Sequence, residues 1–169
     1  MKTNIEFLSI TLLIFFCVSC NYKQATKPSE IAVPSYIKPL NNKNETTRLW
    51  KLAIDSGDFD AYNKLATPYL IEDRNLTELY YYSMIMANKY HCPEAYYTLW
   101  IILEHSVSTR EMELLNDDKD TKNMALYYLF RAKELGFSHA EVEIEQKFGK
   151  GKPVHNSSFF LKQLMNGGK

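Results

Sequence analysis

The run Ala125-Leu-Tyr-Tyr128-Leu-Phe-Arg131-Ala132-Lys-Glu-Leu-Gly136-Phe-Ser-His-Ala140-Glu-Val-Glu-Ile144-Glu-Gln-Lys-Phe148-Gly-Lys-Gly151 decides the fold. Small and apolar residues fall three or four apart, a glycine intervenes, and the spacing resumes, which is the pattern of two short antiparallel helices. Ala125, Tyr128 and Ala132 share a face of the first helix; Ala140, Ile144 and Phe148 share a face of the second. One such pair is too small to be stable alone, so the stretch predicts stacked neighbours of the same kind.

Working outward, the ladder of four-residue steps recurs. Ala132, Gly136, Ala140, Ile144 and Phe148 are matched upstream by Ala87, His91, Ala95, Leu99 and Leu103, and again by Ala53, Gly57, Ala61, Leu65 and Tyr69. Ala53 and Ala87 are 34 residues apart, the period of a two-helix repeat, whereas Ala87 and Ala132 are 45 apart. About eleven residues are therefore inserted between the second and third units.

With those residues in view, the third unit resembles a Sel1-like repeat, a relative of the tetratricopeptide repeat. Ala125, Tyr128, Arg131, Ala132, Gly136, Ala140, Ile144, Phe148 and Gly151 fit that pattern. In the first unit Lys51, Ala53, Gly57, Ala61, Leu65 and Tyr69 match, but Thr46 stands where the leading alanine would be. The second departs most, with His91 at the corner and Ser83 where the aromatic belongs. The resemblance covers roughly residues 45–151 and implies an all-α fold and a binding role rather than a catalytic one. The expected architecture is a short α-solenoid of about three antiparallel helix pairs with a C-terminal capping helix.

The N-terminus reads as a targeting signal. Lys2 precedes a nearly unbroken apolar run from Phe7 to Val18, closed by Val18-Ser19-Cys20. The run is shorter than the ~20 apolar residues that span a bilayer, and it suits the core of a secretory signal. A small residue followed by cysteine resembles the bacterial lipobox, which implies lipidation at Cys20. Acyl chains contribute about 0.8 kcal/mol per buried methylene, and two or more hold stably. Residues 1–19 are thus expected to be a lipoprotein signal peptide and 20–43 a lipidated cysteine with a flexible tether. Pro28, Pro34 and Pro39 among Ser, Thr, Lys and Asn favour an extended chain there. Asn21 rather than Asp follows the cysteine, which leans towards the outer membrane, facing the periplasm. Of three cysteines only Cys92 would remain free, which leaves no intramolecular disulfide.

Residues 44–155 are expected to be the helical repeat domain and 156–169 the capping helix and tail. The first helix should run from about Glu45 to Ser56, ended by Gly57, with Asp58 capping the next. Pro68 should bend or end that second helix. The third should span Thr77 to Lys89, the fourth Pro93 to His105, and the fifth Lys122 to Leu135 after an N-cap at Asp120. Ser138 with Glu141 reads as a capping box for the sixth. Asn156 to Met165 should form the last helix, with Phe159, Phe160 and Leu164 covering the end of the stack.

The chemistry read from the chain is mostly negative. Neither a Gly-rich phosphate loop, His-Glu-x-x-His, paired cysteines nor Gly-x-Ser-x-Gly occurs, so no catalytic residues and no cofactor are expected. Asn116-Asp-Asp-Lys-Asp120 lacks the central glycine and bidentate glutamate of a calcium loop, and no metal is expected. Twenty Lys and Arg balance twenty Asp and Glu, which argues against nucleic acid as a partner. The positive signal is aromatic. Twelve tyrosines include Tyr80-Tyr81-Tyr82 and Tyr127-Tyr128, and consecutive residues on a helix turn by about 100°, so they cannot all face one core. If Tyr80 and Tyr128 face inward, Tyr81, Tyr82 and Tyr127 look elsewhere. With Arg48, Lys51 and Arg131 they form a candidate surface for another protein, either a toxin that acts in the periplasm or an envelope component. Packing between neighbouring units is the plainer role for each tyrosine. A small hydrolase is the remaining alternative, without a visible nucleophile and base.

Overall fold

The computed structural model describes residues 35, 37–72, 75–105, 119–152 and 155–166. These belong to one compact unit, Pro34–Lys169. The expected signal peptide, Cys20, the tether up to Pro34 and the inserted stretch 106–118 lie outside the described residues. Among those described there are a short 3-10 turn, Lys38–Asn41, seven α-helices and no strand. The fold is all-helical. The helices are α1 (Lys43–Ser56), α2 (Phe59–Ile71), α3 (Leu76–Tyr90), α4 (Pro93–His105), α5 (Lys119–Glu134), α6 (Ser138–Phe148) and α7 (Ser157–Asn166).

The helix ends follow local chemistry. The Asn42 side chain accepts from Glu45 N at 3.2 Å, Asp58 from Ala61 N at 2.9 Å and Asn75 from Glu78 N at 3.2 Å. Each satisfies one of the amides that a helix start leaves without a partner. At their other ends α1 and α3 close through left-handed residues, Gly57 (φ +73°) and His91 (φ +55°). Gly57 is favoured twice over: a side chain there would be strained by the backbone angle, and its Cβ would lie 2.5 Å from a ring carbon of Tyr90, which would have to shift.

Two local expectations are corrected, at the starts of α6 and α5; Pro68 stands in the last turn of α2, as expected, and the helix ends at Ile71. Only the final turn lies beyond the proline, and burial of Pro68 and Tyr69 offsets the one missing backbone donor. Ser138 does not cap α6. It is the first helical residue, Phe137 takes the cap position, and no side-chain cap bond forms. The Phe137 ring packs 4.9 Å from that of Tyr97, and burying that ring outweighs a hydroxyl cap worth about 1 kcal/mol. Asp120 likewise falls inside the first turn of α5, where its charge suits the helix dipole.

All the ladder alanines are buried: Ala53, Ala61, Ala87, Ala95, Ala132 and Ala140. So are Leu65, Leu99 and Ile144, one turn further along each second helix. Small side chains let helix backbones approach closely, and the helices pack in sequence order: α1 on α2 and α3, α3 on α4, α4 on α5, α5 on α6 and α7. The α4–α5 and α5–α7 contacts are the most extensive. Phe160 of α7 is buried and lies 5.0 Å from Phe130 of α5. Between α2 and α4 the buried Tyr62 hydroxyl of α2 meets Thr98 of α4.

Ser83, the residue that breaks the motif in the second unit, has a structural reason. It is fully buried, its hydroxyl donates to Leu79 O at 2.7 Å, and it meets the Tyr62 hydroxyl at 2.8 Å. Tyr62 reaches this hydroxyl from α2 and is itself fully buried. Burial, eased by Ser83 and Thr98, drives the Tyr62 phenol well above its usual range.

Candidate functional site

The residues singled out from the sequence fall into separate groups. On α1, Arg48 makes a two-pronged bond to Glu45 at 2.8 and 2.7 Å, and Lys51 pairs with Asp55. Both are exposed pairs within one helix, screened by solvent, so either base can exchange its carboxylate for a partner's. Among the described residues no hydrogen bond or cation–π contact joins Arg48 or Lys51 to the candidate tyrosines.

Tyr81 and Tyr82 belong to a cluster where α1, α2 and α3 meet. The Trp50 ring lies 4.3 Å from Tyr82, 5.5 Å from Tyr69 and 6.1 Å from Tyr62. Tyr69 donates to Glu78 at 3.1 Å. Tyr82 therefore packs between helices, and burial, then Glu78, raises its phenol. Tyr81 stands out at 61% exposure, its ring 5.6 Å from that of Tyr82.

Tyr127 and Arg131 belong to a second cluster. Tyr127 lies 5.2 Å from Tyr128, whose ring is 6.1 Å from Tyr96 of α4 and whose hydroxyl donates to Met84 Sδ at 3.1 Å. Arg131 bonds Glu134 at 3.0 Å, and these bonds, with Tyr96 beside it, hold the guanidinium's proton more tightly still. Burial raises the Tyr96 phenol, and Tyr127 adds to this while Arg131 opposes it. Of the tyrosines taken as contact candidates, only Tyr81 presents most of its surface.

A third place was not singled out from the sequence. A groove of about 630 Å³ lies between α2 and α4 and runs to Phe137 and His139 at the start of α6. Its apolar wall is Leu70, Ile71, Tyr97, Ile101 and Phe137. Ile71 is 58% exposed. The polar edge is Glu94 and His139, with Asn63 and Thr67 on the α2 side. The Tyr97 ring is held between Trp100 at 5.1 Å and Phe137 at 4.9 Å; burial first, then the Glu143 carboxylate, raises its phenol. The signal was present in α4, whose apolar residues extend around most of its girth. Leu99 and Leu103 face the core, while Tyr97 and Ile101 face the groove.

Cys92 sits beneath the groove's acidic edge. It is fully buried, its thiol donates to Glu94 at 3.4 Å, and burial pushes that thiol up to about 12. A thiol so protonated at neutral pH is a poor nucleophile. Among the described residues no group of three or more His, Cys, Asp or Glu side chains could hold a metal ion, and no helix is long and apolar enough to cross a membrane. His91 closes α3, and His155 stacks on Phe159 at 3.6 Å. Comparison with known proteins finds no matching family, no matching curated protein and no matching solved structure.

Proposed function

We propose that this chain is a non-catalytic protein-binding module of the bacterial envelope, a short α-solenoid of the Sel1-like and tetratricopeptide kind held to the membrane by lipid on Cys20. The most specific form of the reading is an immunity protein that neutralises a toxin acting in the periplasm. The observation that carries the binding role is the preformed surface. The helix pairs bury their ladder alanines completely, yet leave an open apolar groove and the exposed ring of Tyr81. Such a surface incurs little ordering cost when a partner docks. Lys2, the apolar run to Val18 and Ser19-Cys20 support the anchor.

Affinity capture with the full-length protein in lipid nanodiscs, against envelope and secreted proteins of the source cell, tests the reading. One stoichiometric protein partner, whose toxicity the chain suppresses, is the expected result. Absence of any partner, together with turnover of a generic ester or peptide substrate, would overturn it. For the anchor, labelling with an alkyne fatty acid should vanish in Cys20→Ala; labelling that persists rules out this lipid site.

A further inference from the structure

The groove between α2 and α4 carries more than a general readiness to bind. Its wall is apolar, with Ile71 more than half exposed. Among the described residues no Lys or Arg lines it, and His139 stands at its edge. Glu94 lines it directly, and Glu143 reaches it through Tyr97. Among the described residues neither carboxylate is in an ion pair; the only group bonded to Glu94 is the Cys92 thiol, a weak donor. A carboxylate in no ion pair at the edge of an apolar trough, with a second behind Tyr97, favours an occupant with apolar side chains and a positive charge beside them. The volume, about 630 Å³, lies within the range that holds small ligands and so takes several side chains rather than a domain face.

We propose that this groove is the docking site for a short peptide segment of the protein partner. The segment inserts apolar side chains between α2 and α4 and places a Lys or Arg against Glu94, with Glu143 reinforcing the field. This rests on the binding-module reading and adds the location of the site and the chemistry of its occupant. It also places the docking site on the second helices of the pairs, away from Arg48, Lys51 and Tyr81.

A displayed library of short random peptides, panned on the full-length protein in nanodiscs, is the probe. Recovered peptides should combine apolar residues with at least one Lys or Arg. A recovered peptide should bind about tenfold more weakly to Ile71→Asp, since a largely apolar contact is lost. Because Ile71 is exposed in the free protein, that variant should keep its circular dichroism and thermal midpoint. Glu94→Lys should weaken binding by about three- to tenfold, and replacing the peptide's base by Glu should restore binding to that variant and to no other.

Peptides without a base, binding indifferent to both substitutions, or a library that yields nothing would overturn the proposal. So would a dimer in sedimentation that Ile71→Asp dissolves, because the occupant would then be a second copy. The two readings fail separately. A partner captured equally well by Ile71→Asp and Glu94→Lys leaves the binding module standing and removes the groove as its site, whereas no captured partner at all removes the module reading.

Discussion

The corners at Gly57 and His91 are built alike, and the corner at Gly136 is not. At the first, Gly57 N donates to Ala53 O at 2.9 Å and Asp58 N to Leu52 O at 3.5 Å. Thirty-four residues on, His91 N donates to Ala87 O and Cys92 N to Met86 O, both at 3.1 Å. At the third, Gly136 N donates to Lys133 O at 2.9 Å and Phe137 N reaches Ala132 O, the ladder alanine itself, at 3.0 Å. The unit that fits the repeat pattern best in its side chains thus closes differently, and the one that fits worst is the geometric twin of the first. Backbone closure follows what packs against the corner, and a glycine only widens the choice. The Tyr90 ring lies on the Gly57 corner, nothing lies within 4 Å of where a Cβ on Gly136 would be, and the third corner is fastened instead from α7. There the Glu134 carboxylate accepts from Ser157 N at 2.8 Å and from its hydroxyl at 2.7 Å.

The largest test of this contrast is in the ladders. Leu65→Ala and Leu99→Ala should each lose about 2–5 kcal/mol in denaturant unfolding, with Ile144→Ala at the low end, because α6 packs chiefly on α5. Equal losses at all three would erase the distinction between the units. Next, Gly57→Ala should cost about 2–3 kcal/mol from left-handed strain plus the Tyr90 clash, against about 1 kcal/mol for Gly136→Ala, where only the backbone term applies. If the two glycines prove equal, the ring contact contributes nothing.

A smaller effect should appear in acid. Burial alone would raise the Glu134 carboxyl, but the Ser157 bonds and Arg131 outweigh it and hold it below its ordinary value of 4.5. A folded value lower than the unfolded one stabilises above pH 4.5, and that contribution is lost as pH falls through the lower value. Glu134→Gln should flatten this part of the acid limb of a stability–pH curve; an unchanged limb would unfasten the third corner from α7. Smallest is a gain: His91→Gly should stabilise by about 0.5–1 kcal/mol, since a left-handed histidine is strained where glycine is not. A loss there would give the imidazole a contact of its own.

Much of the helical frame was legible in the chain. Alanines eight apart, in ladders of four-residue steps, have little reason to recur except to let helices close on one another, and every ladder alanine is buried. Gly57, Asp58 and Pro93 each punctuate by a local mechanism, so those ends fell where expected. Ser138 and Asp120 misled because a cap is chosen by whichever residue tertiary packing brings to the helix start, and Phe137 is drawn there by Tyr97. The tyrosines were legible only in part. Helical geometry requires Tyr81 and Tyr82 to point apart, but that Tyr82 would settle on Trp50 depends on α1 lying alongside α3. The groove was hidden for a related reason. Surplus apolar residues on α4 suit a helix covered on both sides as well as they suit an open trough, and only the way α2, α4 and the start of α6 come together decides between them.

Tyr90 has a reach beyond its own helix. Its hydroxyl donates to Ile54 O at 2.7 Å and Asp55 O at 2.9 Å, supplying from the end of α3 the partners that the last turn of α1 lacks. The first helix pair is therefore completed by a residue that the second pair contributes. Opening of α3 strips the carbonyls at the tail of α1 of their donor, so the amides of both helices should exchange with deuterium in concert, as one cooperative block. A fragment cut before Leu76 would lack the tyrosine that seals its own first turn-back.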